Sequence, residues 1–184
     1  MRIISGEYRG RVLKSPSGER TRPTSDRLRE TLFNIIVPRL DSEARFLDLC
    51  AGTGAVGIEA LSRGVAFTAF VDKSRRACGL IEENLDLLQI PEENTEVICS
   101  GAESYLGRKP RTPWSMIYFD PPYSHDYAPV LHAVGHRSDE ILAGDGILIV
   151  EHHIKTALPD ISGDIRRWRI VKQGESCLSF YERV

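Results

Sequence analysis

The sequence predicts an α/β fold in which helices cover both faces of an open, mostly parallel sheet, closed at one side by antiparallel strands. Three observations carry this. From residue 45 short apolar runs alternate with helical patterns, as when each strand crosses over to the next through a helix. A glycine-rich loop follows the first of these runs. The last two runs, 165–172 and 176–183, flank Gln173-Gly174-Glu175 with no helix between them, which predicts a hairpin at the sheet edge. With 184 residues, 41% hydrophobic and 27% charged, the chain suits one main domain with one sizeable core.

The elements follow in order. Residues 2–13 read as two short strands around Gly6-Glu7, and 15–22 as a polar loop. Pro23-Thr24-Ser25-Asp26 supplies helix-start chemistry. Leu28, Leu32, Phe33 and Ile36 form an apolar helical face until Pro38 stops it. Strands are expected at 46–50, 66–71, 95–99, 114–119 and 146–151. Helices are expected at 55–63, ended by Gly64, then 74–88, 102–106 and 127–142. The run Gly146-Ile147-Leu148-Ile149-Val150-Glu151 is nearly continuously apolar, as in a strand buried on both faces.

Charge is uneven: residues 1–30 carry a net +4 and the remainder −6, for a total of −2. A basic arm on an acidic body fits an approach to a polyanion; a solvated tail is the plain alternative. Arg9, Arg11, Arg20 and Arg22 are the candidate phosphate contacts, placed over the carboxyl edge of the sheet, and the arm reads as too polar to join the core. The domain division expected is a basic hairpin arm, 1–22, and a catalytic domain, 23–184. No run approaches the roughly 18 apolar residues of a membrane helix, and Met1 to Gly6 lacks a signal-peptide core, so a cytoplasmic protein without membrane attachment is expected. Cys50, Cys78, Cys99 and Cys177 form no CxxC pair and read as reduced thiols. His132 and His136 share a helical face without a third ligand at sensible spacing, so no metal is assigned.

Two motifs carry chemistry. In Asp48-Leu49-Cys50-Ala51-Gly52-Thr53-Gly54-Ala55-Val56-Gly57, glycines allow a ligand to approach the backbone at a helix amino terminus. Gly52, Gly54 and Gly57 match GxGxxG, so a nicotinamide or flavin enzyme competes. Asp72, 20 residues after Gly52, could hold ribose hydroxyls of either cofactor. Asp48 fits better beside an ammonium group, which S-adenosylmethionine has. Asp120-Pro121-Pro122-Tyr123 follows an apolar strand. The prolines fix an extended chain. The Asp120 carboxylate and Pro121 carbonyl are two acceptors for the two hydrogens of an exocyclic amine, and Tyr123 can stack on a ring.

On these residues the sequence resembles a known family. Asp48 to Gly54 looks like the cofactor loop of class I S-adenosylmethionine-dependent methyltransferases, and Asp120 to Tyr123 matches the (D/N)PP(Y/F) signature of those that methylate exocyclic amines. Arg2-Ile3-Ile4-Ser5-Gly6 with Gly10-Arg11, then Arg22-Pro23-Thr24-Ser25-Asp26-Arg27-Leu28-Arg29-Glu30-Thr31-Leu32-Phe33-Asn34, resembles the RsmD group, bacterial 16S ribosomal RNA guanine-N2 methyltransferases. The resemblance covers essentially the whole chain. It implies a Rossmann-like, seven-stranded sheet with a reversed C-terminal strand. It also implies catalysis by Asp120, Pro121 and Tyr123, and cofactor contacts from Asp48, Ala51, Gly52, Gly54, Asp72, Ala102 and Thr24. The implied partner is 16S ribosomal RNA or the assembling small ribosomal subunit, met by a monomer. Two positions depart from the pattern: Asp72 stands where a longer Glu is usual, and Gly101 where Asp or Asn often meets adenine, leaving that role to backbone near Ala102 or to Glu103. A DNA adenine-N6 methyltransferase and an RNA-binding module retaining a nucleotide pocket are the alternatives.

Overall fold

The computed structural model describes residues 1–16, 23–122 and 124–184. After helix α1 (Pro23–Ile36), strands and helices alternate as β1 (Arg45–Leu49), α2 (Ala55–Ser62), β2 (Phe67–Asp72), α3 (Arg75–Leu88), β3 (Thr95–Cys99), α4 (Ala102–Leu106), β4 (Trp114–Phe119), α5 (Ala128–His136) and α6 (Ser138–Ile141). Four strands complete the chain: β5 (Leu142–His153), β6 (Ile161–Ser162), β7 (Ile165–Gln173) and β8 (Ser176–Arg183). They form one sheet in the order β3-β2-β1-β4-β5-β8-β7-β6. The first five strands of that order run parallel, and β8 reverses against β5. The α/β reading with a reversed last strand therefore holds. The eighth strand is the two-residue β6, too short to leave a period-two signature.

Side chains alternate across the pleat, so each strand feeds two cores. Leu47, Leu49, Ile117, Phe119, Leu148 and Val150 pack on one face with Val130, Leu131 and Val134 of α5. Phe46, Met116, Tyr118, Ile147 and Ile149 pack on the other with Leu28, Leu32, Phe33 and Ile36 of α1, the apolar stripe expected of that helix. By the same parity Asp48, Asp120 and Glu151 project to the α1 side. Helix α2 lies close on the sheet because Gly57 has no side chain: a Cβ there would meet the Phe70 ring at 2.4 Å.

Three expectations are corrected. The pattern over 127–142 is not one helix. It breaks at Arg137 (φ −134°), and β5 already begins at Leu142. Near the break the Gly135 carbonyl accepts Asp164 N–H at 2.8 Å, and the Ser162 carbonyl packs so close to Gly135 that a Cβ would meet its oxygen at 1.9 Å. Second, the pairing of the first segment is a single bridge, Arg2 with Val12, rather than two strands. Third, this segment does join the core. Ile3 and Leu13 are buried with Ile58, Phe70 and Ile81, and buried Glu59 of α2 accepts the backbone N–H groups of Ile4 (2.7 Å) and Ser5 (3.0 Å). Among the described residues no helix is long and apolar enough to cross a membrane.

Candidate active site

The carboxyl ends of β1, β2, β4 and β5 open on one cleft, as expected at the crevice of a parallel sheet. It has two lobes. One of about 460 Å³ is walled by Asp72, Lys73, Ser100, Gly101, Ala102, Glu103, Pro121 and His125, among others. The other, of about 290 Å³, lies under α1 and includes Met1, Arg29, Asp48, Ala51, Thr53 and Tyr118. Cys50, Gly52, Asp120 and Glu151 line both lobes and so mark their junction.

The glycine loop is built by local backbone geometry. Cys50 adopts φ 63° and Gly52 φ 57°; the left-handed turn at a non-glycine costs about 1–2 kcal/mol. Its return comes from Cys50 N–H and Ala51 N–H, both donating to the Val71 carbonyl at 2.8 and 3.1 Å. Gly52 faces open space, whereas Gly54, at φ 77° before α2, turns inward against Ile81. Gly54 therefore shapes the loop and does not line either lobe.

Asp72 is held from both sides. Its Oδ2 accepts Gly52 N–H at 3.0 Å and its Oδ1 accepts Ser74 N–H at 2.8 Å. Each oxygen keeps acceptor capacity toward the larger lobe. The shorter Asp thus fits through the loop glycine that meets it. Asp48 is buried, and its Oδ2 accepts Gly57 N–H at 2.9 Å, inside the first turn of α2. Burial pushes its pKa up to about 7, aided by the Asp72 charge and opposed by the Gly57 bond.

Asp120 directly follows β4, with its N–H on the Leu49 carbonyl at 3.3 Å. It is open to solvent from the cleft yet hemmed in elsewhere. Withdrawal from bulk water, then the charges of Glu151 and Asp48, hold it well above the usual carboxylate range. The register sets Phe119 opposite Val150, so Asp120 and Glu151 leave neighbouring strands side by side. Tyr118 donates its hydroxyl to Glu151 Oε2, and Ser176 also bonds this carboxylate. Glu151 went unread in the sequence because it ends an apolar run with no motif around it. The pairing of His125 Nε2 with Glu103 Oε1 at 2.8 Å at the rim was equally silent.

The loop is ringed by Asp48, Asp72, Glu103, Asp120 and Glu151, and the acid Asp48 occupies a helix-start N–H that an anion would need. A pyrophosphate would be repelled here, while a cationic ligand is favoured. This disfavours the nicotinamide or flavin reading. The expected cofactor contacts Asp48, Ala51, Gly52, Asp72 and Ala102 all line the cleft, as do Asp120 and Pro121. Thr24 lies in the first turn of α1, and Tyr123, Arg20 and Arg22 fall outside the described residues.

The placement of Arg9 and Arg11 over the carboxyl edge is corrected. The arm turns beside Ser62, whose carbonyl accepts Glu7 N–H at 2.7 Å, and Arg11 Nη2 reaches the Leu87 carbonyl at 3.4 Å. Ser62 and Leu87 end α2 and α3 at the amino edge of the sheet. Both arginines are exposed, at the far side from the cleft.

Comparison with known proteins agrees with this geometry. The family described as Conserved hypothetical protein 95 matches residues 1–182. The chain belongs to this family, the RsmD family. YlbH of Bacillus subtilis is 36% identical over 185 residues, spanning 100% of this chain and 99% of the relative. The Ribosomal RNA small subunit methyltransferase D of Escherichia coli K12 is 34% identical over 187 residues, spanning 100% and 90%. The solved structure of the methyltransferase yhhF from Escherichia coli superposes with a TM-score of 0.84 at 33% identity, covering 100% of this chain and 97% of that one. Like the Ribosomal RNA small subunit methyltransferase D of Escherichia coli, the chain is a methyltransferase.

Proposed function

We propose that the protein transfers a methyl group from S-adenosylmethionine to the exocyclic N2 amine of a guanine in small-subunit ribosomal RNA. The observation that carries the reading is the place of Asp120 at the junction of two lobes, beside Pro121 in the larger one, which is sized for an adenosine, while the other opens under α1. When bound, the cofactor supplies an activated methyl on a sulfonium. The carboxylates around Gly52 favour that positive charge. Asp72 offers acceptors to ribose hydroxyls, and backbone near Ala102 offers groups to adenine.

The chain's task is then orientation. Alignment of a nucleophile with the bond to be broken supplies about 7–11 kcal/mol of a barrier. Asp120 and the Pro121 carbonyl accept the two N–H groups of the amine, fix its plane, and stabilise the positive charge developing on nitrogen. The methylated ammonium is strongly acidic and loses its proton afterwards, so the residues need supply no strong base. A stacked base cannot enter this cleft; extrusion costs a few kcal/mol, which stacking on Tyr123 offsets by about 1–3 kcal/mol.

The assembling small subunit, met by a monomeric enzyme in the cytoplasm, is the proposed setting. Arg9, Arg11, Arg20 and Arg22 are the proposed phosphate contacts, with Arg9 and Arg11 touching RNA beyond the cleft. The relatives' names favour this reading over DNA adenine methylation or an inactive RNA-binding module. The test is transfer of tritiated methyl to ribosomal RNA from cells lacking the enzyme, followed by nucleoside analysis. N2-methylguanosine in the small-subunit RNA is expected; N6-methyladenosine, or cofactor binding without transfer, contradicts it.

A further inference from the structure

We propose that Glu151 is the residue that selects guanine, by accepting the N1–H of the base whose N2 amine is being methylated; this deepens the guanine reading above and rests on it. Glu151 lines both lobes with Asp120, on the same face of the neighbouring strand. Its carboxylate does not swing freely. Tyr118 and Ser176 bond it, and Tyr118 lies two residues before Asp120 on the same strand face. The hydroxyls occupy part of its acceptor capacity; a carboxylate has room for about four hydrogen bonds.

Pro121, Asp120 and Glu151 thus line one lobe together, and the carbonyl and two carboxylates are the acceptors offered to a base. Guanine carries a matching set of donors, the two hydrogens on N2 and the one on the adjacent N1. Adenine also has an exocyclic amine, but the neighbouring ring nitrogen is an acceptor, and a carboxylate facing its lone pair leaves two acceptors unpaired at once. Asp120 and Pro121 alone recognise an amine of either base. Glu151 adds the ring position on which the two bases differ.

The experiment compares kcat/KM for methyl transfer to guanine and to 2-aminopurine, each placed at the target position of the RNA that the wild-type enzyme methylates. 2-Aminopurine keeps the N2 amine but has an acceptor at N1. The wild-type enzyme is expected to prefer guanine by about a hundredfold or more, as polar sites do when a substrate donor is lost. In Glu151→Gln the carboxamide can turn its N–H toward N1, and the preference is expected to shrink to within about tenfold. A role confined to holding Tyr118 and Ser176 lowers both rates equally and leaves the ratio unchanged, which overturns the proposal. So does a wild-type enzyme that uses both bases within about threefold, a measurement that stands even if Glu151→Gln is inactive. The product separates the two readings: N6-methyladenosine from wild-type enzyme fails the guanine reading, whereas N2-methylguanosine with an unchanged ratio fails the role of Glu151 alone.

Discussion

Asp48 shows how one residue serves function at the expense of stability. It is buried and its pKa is raised to about 7, well above the unfolded value near 4. The folded state thus holds a proton that the unfolded chain has lost, and stability falls as pH rises from about 4 through 7. Asp48→Asn removes this penalty. Urea unfolding of the cofactor-free protein is expected to show the variant more stable at pH 8, by up to about 4 kcal/mol, with the gain vanishing below pH 4. Calorimetry is expected to show weaker cofactor binding by the same variant, since a cation loses its buried counter-charge. Asp120 and Glu151 are also shifted upward, and in their proposed roles both accept N–H groups more strongly when ionised. Methyl transfer is therefore expected to rise with pH above the ordinary carboxylate range. Tyr118→Phe removes a bond that favours the Glu151 carboxylate, so the acidic limb of the rate profile is expected to move to higher pH; an unmoved limb contradicts the assignment.

At the scale of elements, one buried carboxylate on α2 ties the first segment and α1 together. Glu59 accepts two backbone N–H groups and pairs with Arg63 Nε at 2.8 Å and Arg29 Nε at 3.9 Å. Arg29 in turn donates to the Arg2 carbonyl at 2.6 Å. Removing one partner of a buried pair strands the other, at a cost of about 3–5 kcal/mol. Glu59→Ala is expected to lose that much in urea unfolding and to loosen the wall of the smaller lobe, where Met1 and Arg29 sit; a loss under about 1 kcal/mol contradicts the clamp. Gly6, at φ 85°, lies so close to α2 that a Cβ would meet the Ser62 carbonyl oxygen at 1.7 Å, so Gly6→Ala is expected to release the turn of the same segment. None of this was legible in the sequence. The parallel strands, the glycine loop and the DPPY turn were, because each is written in contiguous residues. Glu59, Arg29 and Glu151 draw on distant partners, Ile4, Arg2 and Tyr118, that lie 27 or more positions away, and a period-two or period-3.6 pattern holds no trace of such pairings.

For the whole molecule, the cleft and the basic turn lie at opposite edges of the sheet, separated by about 20 Å at the rise of a six-residue strand. An RNA that fills the cleft and also meets Arg9 and Arg11 must run along the α2–α3 side, a path that a folded ribosomal RNA can span. Each phosphate contact contributes about −0.7 to the slope of log affinity against log salt for single strands. The Arg9→Ala/Arg11→Ala double variant is expected to flatten that slope by about 1.4 while leaving cofactor affinity intact; an unchanged slope confines the RNA to the cleft. In the proposed reading the acidic cleft serves the cationic donor and the basic flank the polyanionic acceptor. Among the proposed roles, that of Asp120 in orienting the acceptor amine bears most directly on transfer. Single-turnover methyl transfer by Asp120→Ala at saturating S-adenosylmethionine, on the RNA the wild-type enzyme uses, is expected to fall by about 10²–10³-fold. Transfer at the wild-type rate would show that the turn after β4 is only structural.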